Sequence, residues 1–222
     1  RMDIDSVRGK KAHDSLIQLF EQNRVDILVG TQMVVKGLDF EHVNLVGILD
    51  GDSLLSFADF RVNERAFQLM EQVSGRAGRK ESVGKVLVQV ANTQHPILQY
   101  VQQHDYKSFF ESEIPQRNRF MYPPFTRLIL VTFRHKMHDT VIRAAEIFSN
   151  RLKPQFGKYM TGPAEPVVNR IRGQYLMELL FKLPKDATLI NQCKQAIFNE
   201  IAVLQSNKNF KSVRVVPDVD VV

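Results

Sequence analysis

The sequence predicts an α/β layer with a largely parallel sheet, followed by an α+β domain of ferredoxin-like arrangement. Three observations carry that expectation. Over residues 1–114, short β-rich apolar runs ("VDILVG", "NLVGILD", "GKVLVQVA") alternate with helical periodicity, as in sheets whose strands are buried on both faces. Over residues 127–222 the order becomes strand, helix, two strands, helix, strand, which is the split β-α-β arrangement. Between them lies "PQRNRFMYPPF", where Pro115, Pro123 and Pro124 are expected to interrupt regular structure and place a seam at 115–126.

The elements follow in order. "KKAHDSLIQLFEQN" spaces Leu16, Leu19 and Phe20 on one helical face. "VDILVG" reads as a buried strand, and "NLVGILD" as a second one ending in acid. "VNERAFQLMEQV" sets Val62, Ala66, Leu69 and Val73 at helical steps. "GKVLVQVA" is a third strand, and a helix is expected over "PILQYVQQHDYKSFFESEI". The second half reads strand "RLILVTFR", helix "TVIRAAEIFSNRL", a short strand pair around "YMTGPAEPVVNRI", strand "YLMELLFKL", helix "ATLINQCKQAIFNEIAVLQ" and strand "SVRVVPDVD". Ligands of open α/β sheets gather at the carboxyl ends of the strands. Attention therefore falls on the residues after Val29, after Leu49, and after the helix ending near Gly75.

Bulk composition narrows the classes. The 222 residues are 44% hydrophobic and 24% charged, which fits a folded chain of one large or two ordinary domains. No apolar run approaches the ~18–20 residues of a membrane span, and no signal peptide opens the chain. The chain starts at Arg1 and not at Met, so it is expected to be a piece of a longer polypeptide. Cys193 is the one cysteine, which excludes an internal disulfide and a cysteine-rich zinc site; within a helical run it reads as packing. A reducing, cytoplasmic setting is consistent with it. The net charge of +6 is unevenly placed: residues 1–118 hold 14 Lys+Arg against 16 Asp+Glu, and residues 119–222 hold 16 against 8. A basic half joined to a near-neutral one is the pattern of a part that contacts a polyanion, although a merely soluble basic domain has the same count.

Two stretches carry the chemistry. In "GTQMVVKGLDF", Gly30 and Thr31 follow the first expected strand. Gln32 and Lys36 lie in the loop beyond, and Gly37 permits a close or left-handed backbone. A hydroxyl, free backbone N–H groups and a lysine in one loop make a phosphate site, and an ordinary strand–loop junction has the same residues. In "QVSGRAGRK", Gly75 and Gly78 end a helix while Arg76 and Arg79 project from it. Guanidinium groups grip phosphate oxygens through two N–H groups and stay charged; two surface charges at a helix cap are the alternative. Asp50 and Asp52 in "LDGDSLL" offer two carboxylates but no third ligand, which favours a structural role over magnesium. In the basic half Arg119, Arg127, Arg134, Lys136, Arg170 and Arg172 are candidate phosphate contacts. Arg170 and Arg172 are expected on the same side of "NRIRGQY" by the period of two. Tyr175, Phe120 and Tyr122 are candidates to stack on bases or to pack in the core.

At these residues the sequence resembles a known family. "GTQMVVKGLDF" and "QVSGRAGR" look like motifs V and VI of superfamily-two helicases. Together with "DFRVNERAFQLMEQ", "YPPF", "GPAEPV" and "VPDVDV" they resemble the primosomal replication-restart helicases, the PriA (primosomal protein N′) family. The resemblance implies part of a RecA-like helicase lobe followed by a C-terminal domain of ribosomal-S10-like fold that recognises branched DNA. It implies that Gln72, Gly75, Arg76 and Arg79 face ATP, with Arg76 or Arg79 as the arginine finger. It also implies that Gly30, Thr31, Gln32 and Lys36 touch single-strand phosphates, with Gly37 and Asp39 linking that contact to the nucleotide. Asp50, Asp52, Asp59, Phe60, Arg61, Glu64 and Arg65 match the "LD-D" and "DFR-ERxFQL" stretches that members of the family carry between these motifs. ATP, Mg2+ and zinc are implied for the whole protein, with no metal bound by this chain. The implied partners are forked and single-stranded DNA, single-strand DNA-binding protein and primosome proteins, in a cytoplasmic, nucleoid-associated setting without a membrane.

The sequence departs from the family in several places. It holds no G-x-x-x-x-G-K-[ST] phosphate loop, no DExx box and no zinc cysteines. Leu176 stands where a basic residue is expected, and Val221 where proline is usual. Half of an ATP site at most follows, so the chain is expected to be inactive alone. Another superfamily-two translocase and a non-catalytic nucleic-acid-binding module are the competing readings.

Overall fold

The computed structural model of the protein describes residues 10–31, 43–57, 59–75 and 84–220, with 10–14 given by their helical backbone alone. The chain divides into two compact units, Arg1–Phe110 and Glu111–Val222.

In the first unit α1 (Lys10–Glu21) precedes β1 (Leu45–Ile48), α2 (Gly51–Leu55), α3 (Val62–Ser74), β2 (Lys85–Val88) and α4 (Pro96–Gln102). β1 and β2 pair in parallel from Leu45↔Lys85 to Ile48↔Val88, and α2 and α3 form the crossover that parallel pairing requires. The packed face of α3 is Ala66, Phe67, Met70 and Val73. This is rotated from the expected stripe, because Phe67 stacks on Phe109 at 4.8 Å and carries Met70 with it into the cluster of Ile97 and Val101. α3 is started by Asp59, whose Oδ1 accepts from Arg61 N (2.9 Å) while its Oδ2 pairs with Arg65 Nη1 at 2.8 Å.

Three expectations fail here. "VDILVG" is not a buried strand: Gly30 forms only an isolated bridge, and Ile27 and Val29 are 75% and 51% exposed. An apolar run becomes a strand only where a ladder partner receives its N–H and C=O groups. The expected single helix after Pro96 is two, α4 and α5 (Tyr106–Arg119). His104 takes a left-handed φ of 54°, and Asp105 Oδ1 accepts from Ser108 N (2.9 Å) to start the second helix. Pro115 does not interrupt α5, which runs on to Arg119; one missing N–H is tolerated where the turns on either side hold. Regular structure stops at Met121 (φ 54°) and the Pro123–Pro124 pair instead.

The second unit contains β3 (Thr126–His135), α6 (His138–Phe156), β4 (Met160–Ala164), β5 (Arg170–Ile171), β6 (Gln174–Pro184), α7 (Ala187–Ser206) and β7 (Arg214–Val219). The main strands lie in the order β4-β6-β3-β7, with β5 paired to β6, and all their pairings are antiparallel. That order is the ferredoxin-like one. Ile129, Val131 and Phe133 of β3 face the same way as Phe181, Leu179 and Met177 opposite them, and both helices cover this face. α7 begins at Asp186, whose Oδ1 accepts from Thr188 N (2.8 Å) and Leu189 N (3.2 Å). Arg151 Nη1 meets Glu200 Oε1 at 3.0 Å and ties α6 to α7.

Cys193 is fully buried in this core, and burial pushes its thiol up to about 12. Two outcomes are expected. Phe133→Ala should cost about 3–5 kcal/mol in denaturant unfolding. Alkylation of Cys193 at pH 8 should proceed only at the rate of unfolding, since the folded state holds almost no thiolate there.

Candidate nucleic-acid and nucleotide sites

In the first unit the carboxyl ends of β1 and β2 are stitched together. Gln89 N donates to Ile48 O (2.9 Å), Gly51 N to Gln89 O (2.8 Å), and Ala91 N to Asp52 Oδ2 (2.8 Å). A Cβ on Gly51 would meet Val90 Cγ1 at 2.8 Å and Gln89 O at 3.0 Å, so only glycine permits this approach. Asp50 reaches it through a left-handed φ of 56°. The "LDGD" stretch is thus a structural clasp. Among the described residues no group of His, Cys, Asp or Glu is placed to hold a metal ion, and a lone buried Cys193 does not fit the zinc implied for the family.

The expected nucleotide-facing residues lie partly within view. Gln72 is exposed on the last turn of α3, and Gly75 closes that helix by donating to Glu71 O at 3.0 Å. Gly30 and Thr31 are exposed. Gln32, Lys36, Gly37, Asp39, Arg76 and Arg79 lie outside the described residues, as does Val221.

The second unit presents a denser arrangement. β5 and β6 form a hairpin in which Arg170 pairs with Tyr175 and Ile171 with Gln174. Its two-residue turn is Arg172–Gly173, with φ of 50° and 76°, the left-handed pair of a type I′ turn. Arg172 is therefore a turn residue, and the period-of-two argument that set it beside Arg170 does not apply. A bulky side chain in this conformation carries a cost that asparagine or glycine would not. The Arg170 guanidinium lies 4.9 Å from the Tyr175 ring centroid, and His138 packs against the same ring at 4.9 Å.

Glu165 braces this hairpin. Its Oε1 accepts from His138 Nε2 (2.5 Å), in the first turn of α6, and its Oε2 from Asn169 Nδ2 (2.7 Å). Asn169 in turn accepts from Leu176 N through its carbonyl (2.8 Å). The bond from Asn169, and then that from His138, hold the Glu165 carboxyl below its ordinary range. Neither Glu165 nor His138 stood out in the sequence; a contact between residues 27 apart leaves no local pattern.

Sheet register gathers more cations at this end. Arg134 pairs with Arg214 across β3 and β7, and His135 with Tyr175 across β3 and β6. Arg134, Lys136, Arg170, Arg172, Lys211 and Arg214 thus share the end of the sheet where β3 stops and β6 and β7 begin. Arg134 is partly buried beside Glu178, whose carboxyl is raised by burial against the pull of that arginine. Other expected contacts are engaged elsewhere. Arg127 Nη1 pairs with Asp220 Oδ2 at 2.7 Å, Arg119 lies over the Phe120 ring, and Lys182 Nζ sits 3.6 Å from the Tyr122 ring centroid while donating to Phe120 O. Phe120 and Tyr122 therefore already have cation partners. Leu176 is buried on the sheet face opposite the helices and pairs across the ladder with Arg134, so a basic residue there would stand directly beside an existing arginine.

Two stability outcomes follow. Arg172→Asn should raise stability by about 1 kcal/mol in denaturant melts, by relieving the left-handed arginine. The Glu165 brace contributes stability above the ordinary glutamate pKa and loses it as pH falls through the lowered one. The protection factor at Leu176 N, exchange corrected for its intrinsic pH dependence, should therefore fall in acid in the wild type, but be lower throughout and independent of that titration in Glu165→Gln.

Comparison with known proteins returns two family profiles. The primosomal protein N C-terminal domain matches residues 118–222, and the helicase conserved C-terminal domain matches residues 2–81. Curated relatives named replication restart protein PriA include one from Synechocystis, 43% identical over 188 residues (83% of this chain, 22% of the relative). One from Bacillus subtilis is 39% identical over 191 residues (85% and 24%), and one from Haemophilus influenzae 34% over 224 residues (99% and 30%). The chain thus spans less than a third of the length of these relatives.

Proposed function

The chain belongs to the PriA family of replication restart proteins, and from that premise we propose that it is part of an ATP-dependent DNA helicase that recognises forked DNA at stalled replication and supports primosome assembly. The observation that carries the DNA contact is the braced hairpin, which holds Arg170 and Arg172 out at the cationic end of the second unit's sheet. Phosphate contacts of this kind set affinity and its salt dependence.

In this reading residues 1–114 are the C-terminal portion of a RecA-like helicase lobe, 115–126 a seam, and 127–222 a DNA-binding domain. Gly30, Thr31, Gln32 and Lys36 contact the phosphates of the single strand. Gly37, Asp39, Gln72 and Gly75 face the nucleotide, and Arg76 or Arg79 stabilises charge on the transferring phosphoryl group. The exposure of Gln72 and of Gly75 at the end of α3 supports access to a ligand there. ATP with Mg2+ supplies the hydrolysable bond and is held by groups outside this sequence, which has no phosphate loop. Alone, the chain does not turn over ATP. Single-strand DNA-binding protein and primosome proteins are its partners, in the bacterial cytoplasm at the nucleoid. A translocase that does not separate strands is the competing reading, and a strand-separation assay on the intact protein decides between them.

Two measurements test the proposal. In the intact protein, Arg76→Ala or Arg79→Ala should lower DNA-stimulated ATP turnover by about 10³-fold for the finger residue, with DNA affinity little changed; undiminished turnover in both variants would remove the assignment. In the 222-residue chain, Arg170→Ala with Arg172→Ala should weaken DNA binding and flatten the log–log salt dependence by about 1.4–1.8, the loss of two phosphate contacts. Unchanged affinity and slope would place the DNA contact elsewhere.

A further inference from the structure

The hairpin has a second property that arginine–phosphate contact does not use. Val167, Val168 and Ile171 are 87%, 60% and 43% exposed, within a stretch that also holds Arg170 and Arg172. Three apolar side chains left open within one short stretch, and not scattered singly, mark a candidate contact surface. Ile171 borders the two-residue turn, and Val167 and Val168 lie in the loop that enters the hairpin, so the three form an exposed apolar surface and not a buried pocket. Peptide partners are received in grooves or along sheet edges. Exposed apolar side chains interleaved with arginines instead suit the wedges that enter between bases while cations hold the adjacent phosphates.

A wedge must also be rigid, or the cost of ordering it would consume the contact. The bracing described above meets that need. Glu165 joins the loop before the hairpin to the start of α6 through His138, and closes the hairpin base through Asn169. Tyr175 is held between Arg170 and His138. Arg172 keeps its left-handed backbone despite the strain, which fixes the turn and directs the arginine outward.

We infer that the hairpin and its preceding loop form a braced wedge that seats at the branch point of forked DNA, with Val167, Val168 and Ile171 against the unpaired bases and Glu165 as the positioning residue. This rests on the DNA-binding reading above and adds to it a source of fork selectivity that does not depend on charge.

Charge and position make opposite predictions for Glu165. If its carboxylate only adds negative charge beside the arginines, Glu165→Gln should tighten binding to every DNA and steepen the salt dependence. If it holds the wedge, the same change should weaken fork binding and leave the salt slope as it was.

The test measures binding of the 222-residue chain to forked, single-stranded and duplex DNA of equal length at two salt concentrations, with 2-aminopurine at the branch. Wild type should prefer the fork and change the 2-aminopurine signal. Val167→Ser/Val168→Ser/Ile171→Ser, at exposed positions that leave the core intact, should lose at least about fivefold in fork affinity, abolish the 2-aminopurine change and keep the wild-type salt slope. Glu165→Gln should lose fork preference in the same way. Retained preference in the serine variant, or tighter binding by Glu165→Gln, overturns the wedge. If the serine variant instead loses an acidic peptide with an apolar end while its DNA binding is intact, the surface is a protein dock and the wedge also falls. Should Arg170→Ala/Arg172→Ala leave all binding unchanged, the DNA reading itself fails; should that variant weaken binding while the serine variant keeps fork preference, the wedge alone fails.

Discussion

Burial of β3 is the constraint on which the second unit depends. The strand pairs along its whole length with β6 and over most of it with β7, and its residues Ile129, Val131 and Phe133 lie beneath both helices. Register in such a strand is not free, because a slip of one residue would turn that apolar row away from the core. The same register decides which residues meet at the strand's end. Arg134 comes to face Arg214, and His135 to face Tyr175, only because the apolar row further along has already chosen its partners. The cationic end of the sheet is thus a by-product of core packing, and a stable one.

From that end outward, organisation passes from apolar burial to polar contact. The hairpin of β5 with the start of β6 is too short to own a core and is held by side chains instead, through Glu165, His138, Asn169 and the stacked Tyr175. The first unit uses a similar economy on a smaller scale. Its two parallel strands are closed at their carboxyl ends by Gly51 and Asp52, where lack of a side chain matters as much as the presence of one.

Much of this was legible in the sequence, for identifiable reasons. The ferredoxin-like order could be read because long, strongly apolar strands alternate with amphipathic helices over residues 127–222. The stretches "GTQMVVKGLDF" and "QVSGRAGRK" gave the family because their spacing is joint and local. What could not be read was set by tertiary contact. "VDILVG" has a strand's composition but, among the described residues, forms no ladder beyond the bridge at Gly30. α4 and α5 separate at His104 because of one left-handed residue and one aspartate cap, features of a few bonds within a continuous helical pattern. Arg172 was misplaced by alternation because a turn suspends the alternation of its strands. Glu165 and His138 were not visible at all, since their meeting is decided by how β4 returns past the start of α6.

The isolation of Cys193 has a practical consequence. A sequence with a single cysteine, sealed on the buried face of α7, is chemically blank toward thiol reagents while it stays folded. A second cysteine introduced at the hairpin tip would be the one addressable sulfur in the molecule. No background substitution would be needed to attach a dye, a spin label or a photocrosslinker there. The packing that makes the native thiol silent thus makes the surface writable, one position at a time.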